Sequence, residues 1–215
     1  FAPENFSDSR GVAVDGEVAF VANGEFGVSA IIFSEDPFQT QQYILTTDGY
    51  AWDVALAGDY AYIADDDNGL VIIDRNPLGD MVQIGHLITP GKAYAVAVQD
   101  NYAYIASGED GLLIINISTP SEPVQVGTYD TPGSAVDVVL SGNLAYVADS
   151  ESGLIVVNIA NPASPFLASE YNTPGSTTGV ALKDEDLFVA DAAGGLLIFA
   201  QPPEKYYISM PLVMR

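Results

Sequence analysis

The chain has 215 residues, 48% of them hydrophobic and only 16% charged, a balance that supports a packed core and excludes whole-chain disorder. Its 29 acidic residues against 6 basic ones give a net charge of −23, which repels phosphate backbones and anionic headgroups, so no nucleic-acid partner is expected. Cysteine is absent, which excludes disulfides and thiolate metal sites, and no apolar run reaches the ~20 residues of a membrane span, so no membrane insertion is expected either.

The chain opens on Phe1 rather than Met, as a processed protein with its signal peptide removed, or an excised fragment, would. From residue 10 onward a 42-residue repeat sets in. Gly27, Gly69, Gly111, Gly153 and Gly195 mark it without a single insertion. Val12, Val54, Val96, Val138 and Val180 keep the same spacing, as do Ala22, Ala64, Ala106, Ala148 and Ala190. A further column is wholly aromatic: Phe20, Tyr62, Tyr104, Tyr146 and Phe188. Thr47, Thr89, Thr131 and Thr173, each followed two residues on by Gly, divide the chain into units 10–47, 48–89, 90–131, 132–173 and 174–215.

One unit shows what each contains. Residues 134–140 form a Val-rich strand, Ser141-Gly142-Asn143 a hairpin turn and 144–148 a second strand. A polar loop ending at Gly153 leads to a third strand over 154–159, Asn161-Pro162 breaks it, and 166–171 makes a fourth. The runs Val71-Ile72-Ile73 and Leu112-Leu113-Ile114-Ile115 are apolar on consecutive residues, so both faces of those strands must be covered. Four short antiparallel strands per repeat, each sheet packed on its neighbours, predict an all-β, five-bladed β-propeller in a single domain. A parallel β-helix has shorter coils and lacks such regular hairpin turns. In the last unit, residues 206–213 fall in the register of a fourth strand, which closes the blade or pairs with a partner.

The segments Gly69-Leu70-Val71-Ile72-Ile73-Asp74, Gly111-Leu112-Leu113-Ile114-Ile115-Asn116 and Gly153-Leu154-Ile155-Val156-Val157-Asn158 resemble the LVIVD-repeat family of β-propellers. The resemblance spans about residues 10–200, with the first unit departing at Ser29 and Ala30. It implies a secreted or surface-attached bacterial or archaeal protein without a catalytic motif, hence a non-enzymatic binding or assembly module. The tail, Tyr206-Tyr207-Ile208-Ser209-Met210-Pro211-Leu212-Val213, is similar to a YLPLVLR-type ending of exported proteins from filamentous green non-sulfur bacteria, which implies the same location.

Propeller topology places the turn before each first strand and the loop between strands two and three at one end, near the channel mouth. Two columns there vary in chemistry while their neighbours do not: Arg10, Trp52, Tyr94, Val136, Thr178, and Gly11, Asp53, Ala95, Asp137, Gly179. Trp52, Asp53, Tyr94, Lys92 and Asp137 therefore offer a polar, aromatic pocket suited to a sugar, against the plainer expectation that Trp52 plugs a narrow channel. Asp53 and Asp137 also have the chemistry of a glycosidase pair, although catalytic pockets usually break so uniform a repeat. The loops carry Asp65, Asp67, Asp149 and Glu151, hard oxygen ligands for a Ca²⁺ ion or simply turn-forming acids, and no other cofactor is expected. His86, the sole histidine, sits on an outer strand and builds no triad. The expected partners are another protein or further copies of this chain, joined through Tyr206, Tyr207, Ile208, Met210, Leu212 and Val213 or along an exposed edge, and in the alternative a glycan.

Overall fold

The computed structural model describes residues 8–33, 41–76, 78–184 and 186–200. The first sheet contains β1 (Val12–Asp15), β2 (Val18–Ala22), β3 (Val28–Ile32) and β4 (Gln41–Leu45), and the second β5 (Asp53–Ala57), β6 (Tyr60–Ala64), β7 (Leu70–Asp74) and β8 (Val82–Leu87). The third comprises β9 (Ala95–Gln99), β10 (Tyr102–Ala106), β11 (Leu112–Asn116) and β12 (Val124–Tyr129). The fourth has β13 (Asp137–Ser141), β14 (Leu144–Ala148), β15 (Leu154–Asn158) and β16 (Phe166–Tyr171). The fifth has β17 (Thr177–Lys183), β18 (Asp186–Asp191) and β19 (Gly195–Ala200). Each sheet is an antiparallel meander, and the fold class is the five-bladed β-propeller that the repeat predicts. The tail strand expected at 206–213 lies outside the described residues.

The local chemistry follows the repeat. A two-residue loop joins Ser141 to its partner Leu144, and its first residue, Gly142, has φ 53°. Between β15 and β16 the register shifts at Val156/Val157, and between β7 and β8 at Ile72/Ile73, so β8 and β16 carry a bulge at the same repeat position. Gly69 has φ +76°, and a Cβ there would lie 2.4 Å from the Leu87 carbonyl oxygen where the outer strand ends. Glycine recurs at this column because no other residue meets both demands. The strand expected over 134–140 starts at Asp137, since Ala135 is drawn into an isolated bridge with Gly108.

Contacts divide the chain into two compact units, Phe1–Ile105 with Asn116–Val124, and Ala106–Ile115 with Gln125–Arg215. In the first, Phe20, Ala22 and Val28 of one blade pack on Val54, Ile63, Val71 and Ile73 of the next. In the second, Tyr146, Ala148, Leu154 and Val156 pack on Val180, Leu187, Val189 and Leu197. The aromatic and alanine columns thus form the large and small halves of one blade face. Leu70, Val71, Ile72 and Ile73 are all fully buried, as consecutive apolar residues with two covered faces must be. The departure at Ser29 has a local cause. Asn23 donates its side-chain amide to Ser29 Oγ at 2.8 Å, and both residues are buried.

Candidate functional site

At the end of the sheets that carries the loops between second and third strands, those loops reach across to the next blade. Gly24 bridges Ala51 and Asp66 bridges Ala93 in the first unit, while Gly108 bridges Ala135 and Ser150 bridges Thr177 in the second. The loop residue has positive φ in every case: 55°, 52°, 58° and 43°. Tyr50 packs so closely on Gly24 that a Cβ there would lie 2.8 Å from its ring. At the equivalent position of the next blade Asp66 meets Lys92, whose Nζ is 2.9 Å from Asp66 Oδ2 and 3.5 Å from Asp67 Oδ2. A large side chain therefore faces glycine, and a cation faces a carboxylate, in one repeated pair of columns. The hydrogen bond to Asp66 is the main reason the Lys92 pKa is raised.

One further column, Asn23, Asp65, Ser107, Asp149 and Asp191, is buried in all five blades. Asp65 accepts hydrogen bonds from Thr47 Oγ1 at 2.6 Å, the Gly49 amide at 3.0 Å and Asn68 Nδ2 at 2.7 Å. Asp149 accepts from Thr131 Oγ1 at 2.6 Å and the Gly133 amide at 2.7 Å. Asp191 accepts from the amides of Gly175, Ala193 and Gly194. The carboxylate thus fastens the Thr-x-Gly turn that leads into its own blade. The expected calcium ligands Asp65 and Asp149 hold turn donors on both oxygens, and Asp67 and Glu151 are exposed at the cleft margins. Among the described residues no group of three or more His, Asp or Glu side chains is placed to hold a metal ion. Burial lifts the Asp65 pKa above the usual carboxylate range, against the hydrogen bonds from Thr47, Asn68 and Gly49 that favour the anion. At Asp191 burial is the largest single influence and acts upward, but the hydrogen bonds from Thr173, Gly194, Gly175 and Ala193 outweigh it and leave the pKa lowered.

Asp53 and Asp137 are also engaged. Asp53 Oδ2 accepts from the Val96 amide at 3.0 Å, and Asp137 Oδ2 from the Val180 amide at 2.8 Å, the same link to the next blade's first strand in each unit. Asp137 in addition accepts from its neighbour Val138 at 2.8 Å. Burial raises the Asp137 pKa despite these two amides. Gly11 stands where a Cβ would come 2.4 Å from Asp53 Oδ1, so the variation in this column tracks interblade fit.

Trp52 sits at the centre of an aromatic stack. The Tyr50 ring centroid lies 4.9 Å from that of Trp52 and the Tyr94 centroid 5.5 Å away, edge to face. The Arg10 guanidinium lies 4.8 Å from the Trp52 ring centroid and donates from Nη2 to Tyr50 Oη at 3.0 Å. It is anchored by Asp8 at 2.7 Å, and Tyr50 donates its hydroxyl to Asp8 as well. The Tyr50 hydrogen bond is the main reason the Arg10 pKa is raised. Two polar atoms beside this stack, Trp52 Nε1 and Asp66 Oδ1, are buried without a hydrogen-bond partner among the described residues. Tyr50, Asp66, Asp67, Glu25 and Asp48 border one open cleft of about 500 Å3. Its repeat equivalent in the second unit, of about 840 Å3, is bordered by Glu109, Asp130 and Glu151 and has no aromatic residue.

The expected pocket residues therefore divide. Trp52 and Tyr94 are together with Lys92's partner Asp66 close by, whereas Asp53 and Asp137 belong to blade contacts in separate units. Tyr50, Arg10 and Asp66 complete the stack, and the sequence signal for Arg10 was its place in the variable column of Trp52 and Tyr94. His86 Nε2 donates to the Asn68 carbonyl oxygen at 2.8 Å, on the outer strand β8.

A sequence profile of the LVIVD repeat matches residues 48–75, 90–131 and 132–173. No curated protein matches the chain. The β-propeller domain of Myceliophteria thermophila Cps50 (Swd1) is similar in structure, with a TM-score of 0.72 at 13% identity over 94% of this chain and 68% of that one. The computationally designed Ika8 protein gives 0.64 at 9% identity, over 91% and 72% respectively, and designed Ika4 gives 0.61 at 12%, over 74% and 96%. At such identities the likeness is one of fold alone.

Proposed function

The chain belongs to the LVIVD-repeat family, and we propose that it is a non-enzymatic binding module of the cell surface or extracellular space that meets its partner around Trp52. The observation that carries this reading is the pair of buried, unpartnered atoms, Trp52 Nε1 and Asp66 Oδ1, beside a stack of three aromatic rings. A buried donor and acceptor left unmade are costly, and a partner that supplies both relieves that cost. The repeat supports the choice of place. Trp52 stands in a column that holds five different residues, two positions before a column that holds valine throughout. The acid pair of a glycosidase finds no support, because both carboxylates accept backbone amides. The resemblances at the repeats and at the tail support an exported protein.

A second reading is that the partner is a glycan. A sugar hydroxyl both donates and accepts, which fits the two orphan atoms, and sugar rings stack on aromatic faces. Binding of wild type, Trp52→Ala and Asp66→Asn to a glycan array separates the readings. At least a tenfold loss for both variants is expected if a sugar occupies the stack. A blank array for wild type removes the glycan. In that case surface extracts are passed over immobilised wild type and Trp52→Ala, and identical retained proteins would rule out the Trp52 face as the contact.

A further inference from the structure

Two columns of the repeat change character within the first unit. At 42-residue spacing one reads Asp8, Tyr50, Lys92 and the other Arg10, Trp52, Tyr94. In the second unit the same columns hold Ser134 and Val136, then Ser176 and Thr178. Aromatic rings and charges at these positions are thus confined to one stretch of a uniform repeat, and there they touch. Trp52 packs between Tyr50 and Tyr94, and the Arg10 guanidinium lies 4.8 Å from the Trp52 ring centroid and 5.8 Å from that of Tyr50. The acids alone do not mark the place, since the cleft of the second unit has Glu109, Asp130 and Glu151 without a ring beside them.

In the free protein a cation of the chain itself occupies the Trp52 ring, which shows what chemistry that ring accepts. Arg10 Nη2 lies 2.7 Å from Asp8 Oδ1 and donates to Tyr50 Oη at 3.0 Å. The Arg10 side chain is 44% exposed and that of Asp8 36%, and solvent-facing ion pairs of this kind hold weakly, so the guanidinium is replaceable. The surroundings favour another cation in its place. Glu25, Asp48, Asp66 and Asp67 border the adjoining cleft, and of the chain's few cations Lys92 pairs with two of them. Lys92 takes Asp66 Oδ2 and leaves Oδ1 buried without a partner among the described residues, an acceptor that calls for a donor. Trp52 Nε1, buried in the same state, calls for an acceptor. A bare cation has no acceptor to offer. A neutral sugar has both but gains nothing from the carboxylates. An extended peptide that carries arginine or lysine meets all three demands, because its side chain donates and its main-chain carbonyls accept.

We propose that the occupant of the stack is a basic, extended segment of a partner protein, whose cationic side chain takes the place of Arg10 on Trp52. This rests on the reading of Trp52 as the contact and names the chemistry of what it meets. Arg10 is then a built-in competitor. It keeps the aromatic face covered until a segment arrives that adds main-chain contacts to its charge. Binding weakens as salt screens the attraction between opposite charges.

The test uses the full chain and three probes: a capped tetrapeptide of two arginines between glycines, its glutamate counterpart, and methylguanidinium ion alone. Titration calorimetry at physiological salt gives the affinities, and the fluorescence of Trp52, the sole tryptophan, reports on the ring itself. Wild type is expected to bind the arginine peptide, to ignore the glutamate peptide, and to bind methylguanidinium at least tenfold more weakly. Trp52→Ala leaves the net charge unchanged and is expected to lose at least tenfold in affinity for the arginine peptide. Arg10→Ala is expected to bind it roughly threefold to tenfold tighter, a gain that a misfolded variant does not give. Lys183→Ala makes the same change of net charge at an exposed position of the other unit and is expected to match wild type. An Arg10→Ala protein that binds no tighter than Lys183→Ala overturns the proposal, and so does a Trp52→Ala protein that binds as well as wild type, the sign of a general attraction to an acidic surface. If wild type does not bind the arginine peptide, yet immobilised wild type and Trp52→Ala retain different proteins from surface extracts, the basic segment is overturned and the Trp52 contact stands. Identical retained proteins overturn both.

Discussion

Replacing Asp149 by alanine is expected to lower the stability of the protein by about 2–4 kcal/mol, since it strands one buried and one half-buried donor with no replacement acceptor. The donors are Thr131 Oγ1 and the Gly133 amide, and Asp149 itself is fully buried. Asp65→Ala should behave alike in the second blade, where Thr47, Gly49 and Asn68 lose their acceptor. The third blade supplies the comparison. Ser107 occupies the same column, is equally buried, and its hydroxyl has no partner among the described residues, while Thr89 turns instead to the Gly91 carbonyl oxygen at 2.6 Å. Ser107→Ala is therefore expected to cost less than ~1 kcal/mol, or to stabilise slightly, because it removes an orphan rather than a partner. Urea unfolding of the three variants checks the ranking, and an Asp149→Ala protein as stable as Ser107→Ala would contradict the role given to the carboxylate.

Gly127→Ala should be at least as damaging, for a steric reason. A Cβ at Gly127 would lie 2.0 Å from the Pro162 carbonyl oxygen, and Pro165 Cδ stands at 3.3 Å. Both neighbours belong to the loop between β15 and β16, so neither is the end of a flexible side chain that could swing aside. A loss of about 3 kcal/mol or more is expected, with a drop in melting temperature of roughly 6–12 °C for a chain of this length. Gly85 meets Pro120 in the same way, its Cβ position 1.9 Å from that carbonyl oxygen, and Gly85→Ala should match it. The blade-four equivalent is Ser169, which already carries a side chain, and Ser169→Ala should be clearly milder. Equal melting temperatures for Gly127→Ala and wild type would mean that the outer strand and the facing loop are not held together.

These two cases show what could be read before any coordinates. Columns that hold one residue type, such as the glycine at 27, 69, 111, 153 and 195, announce themselves, because a repeat preserves backbone conformations and packing volumes. The column at 23, 65, 107, 149 and 191 was hidden by its own chemistry. Asn, Asp and Ser all serve as short acceptors or donors at a turn, so identity varies while position does not, and the same acids also have the chemistry of loop ligands for calcium. The complementary pairs, Gly24 with Tyr50 and Asp66 with Lys92, lie 26 residues apart in each case, a spacing visible only once the bridges between blades are known. The Tyr94 ring adjoins that of Trp52. The capping by Arg10 depends on Asp8 and Tyr50 holding the guanidinium in place, and no single column carries that signal.

At the loop end of the blades the buried acidic column holds the turns, and the aromatic stack is the surface proposed to meet a partner. That division fails if the same carboxylates are metal sites, so the most direct measurement is thermal unfolding in increasing calcium chloride against sodium chloride at matched ionic strength. The two salts are expected to raise the midpoint equally, through screening of the −23 net charge alone. A further, saturable rise with calcium that Asp65→Asn or Asp149→Asn abolishes would contradict it.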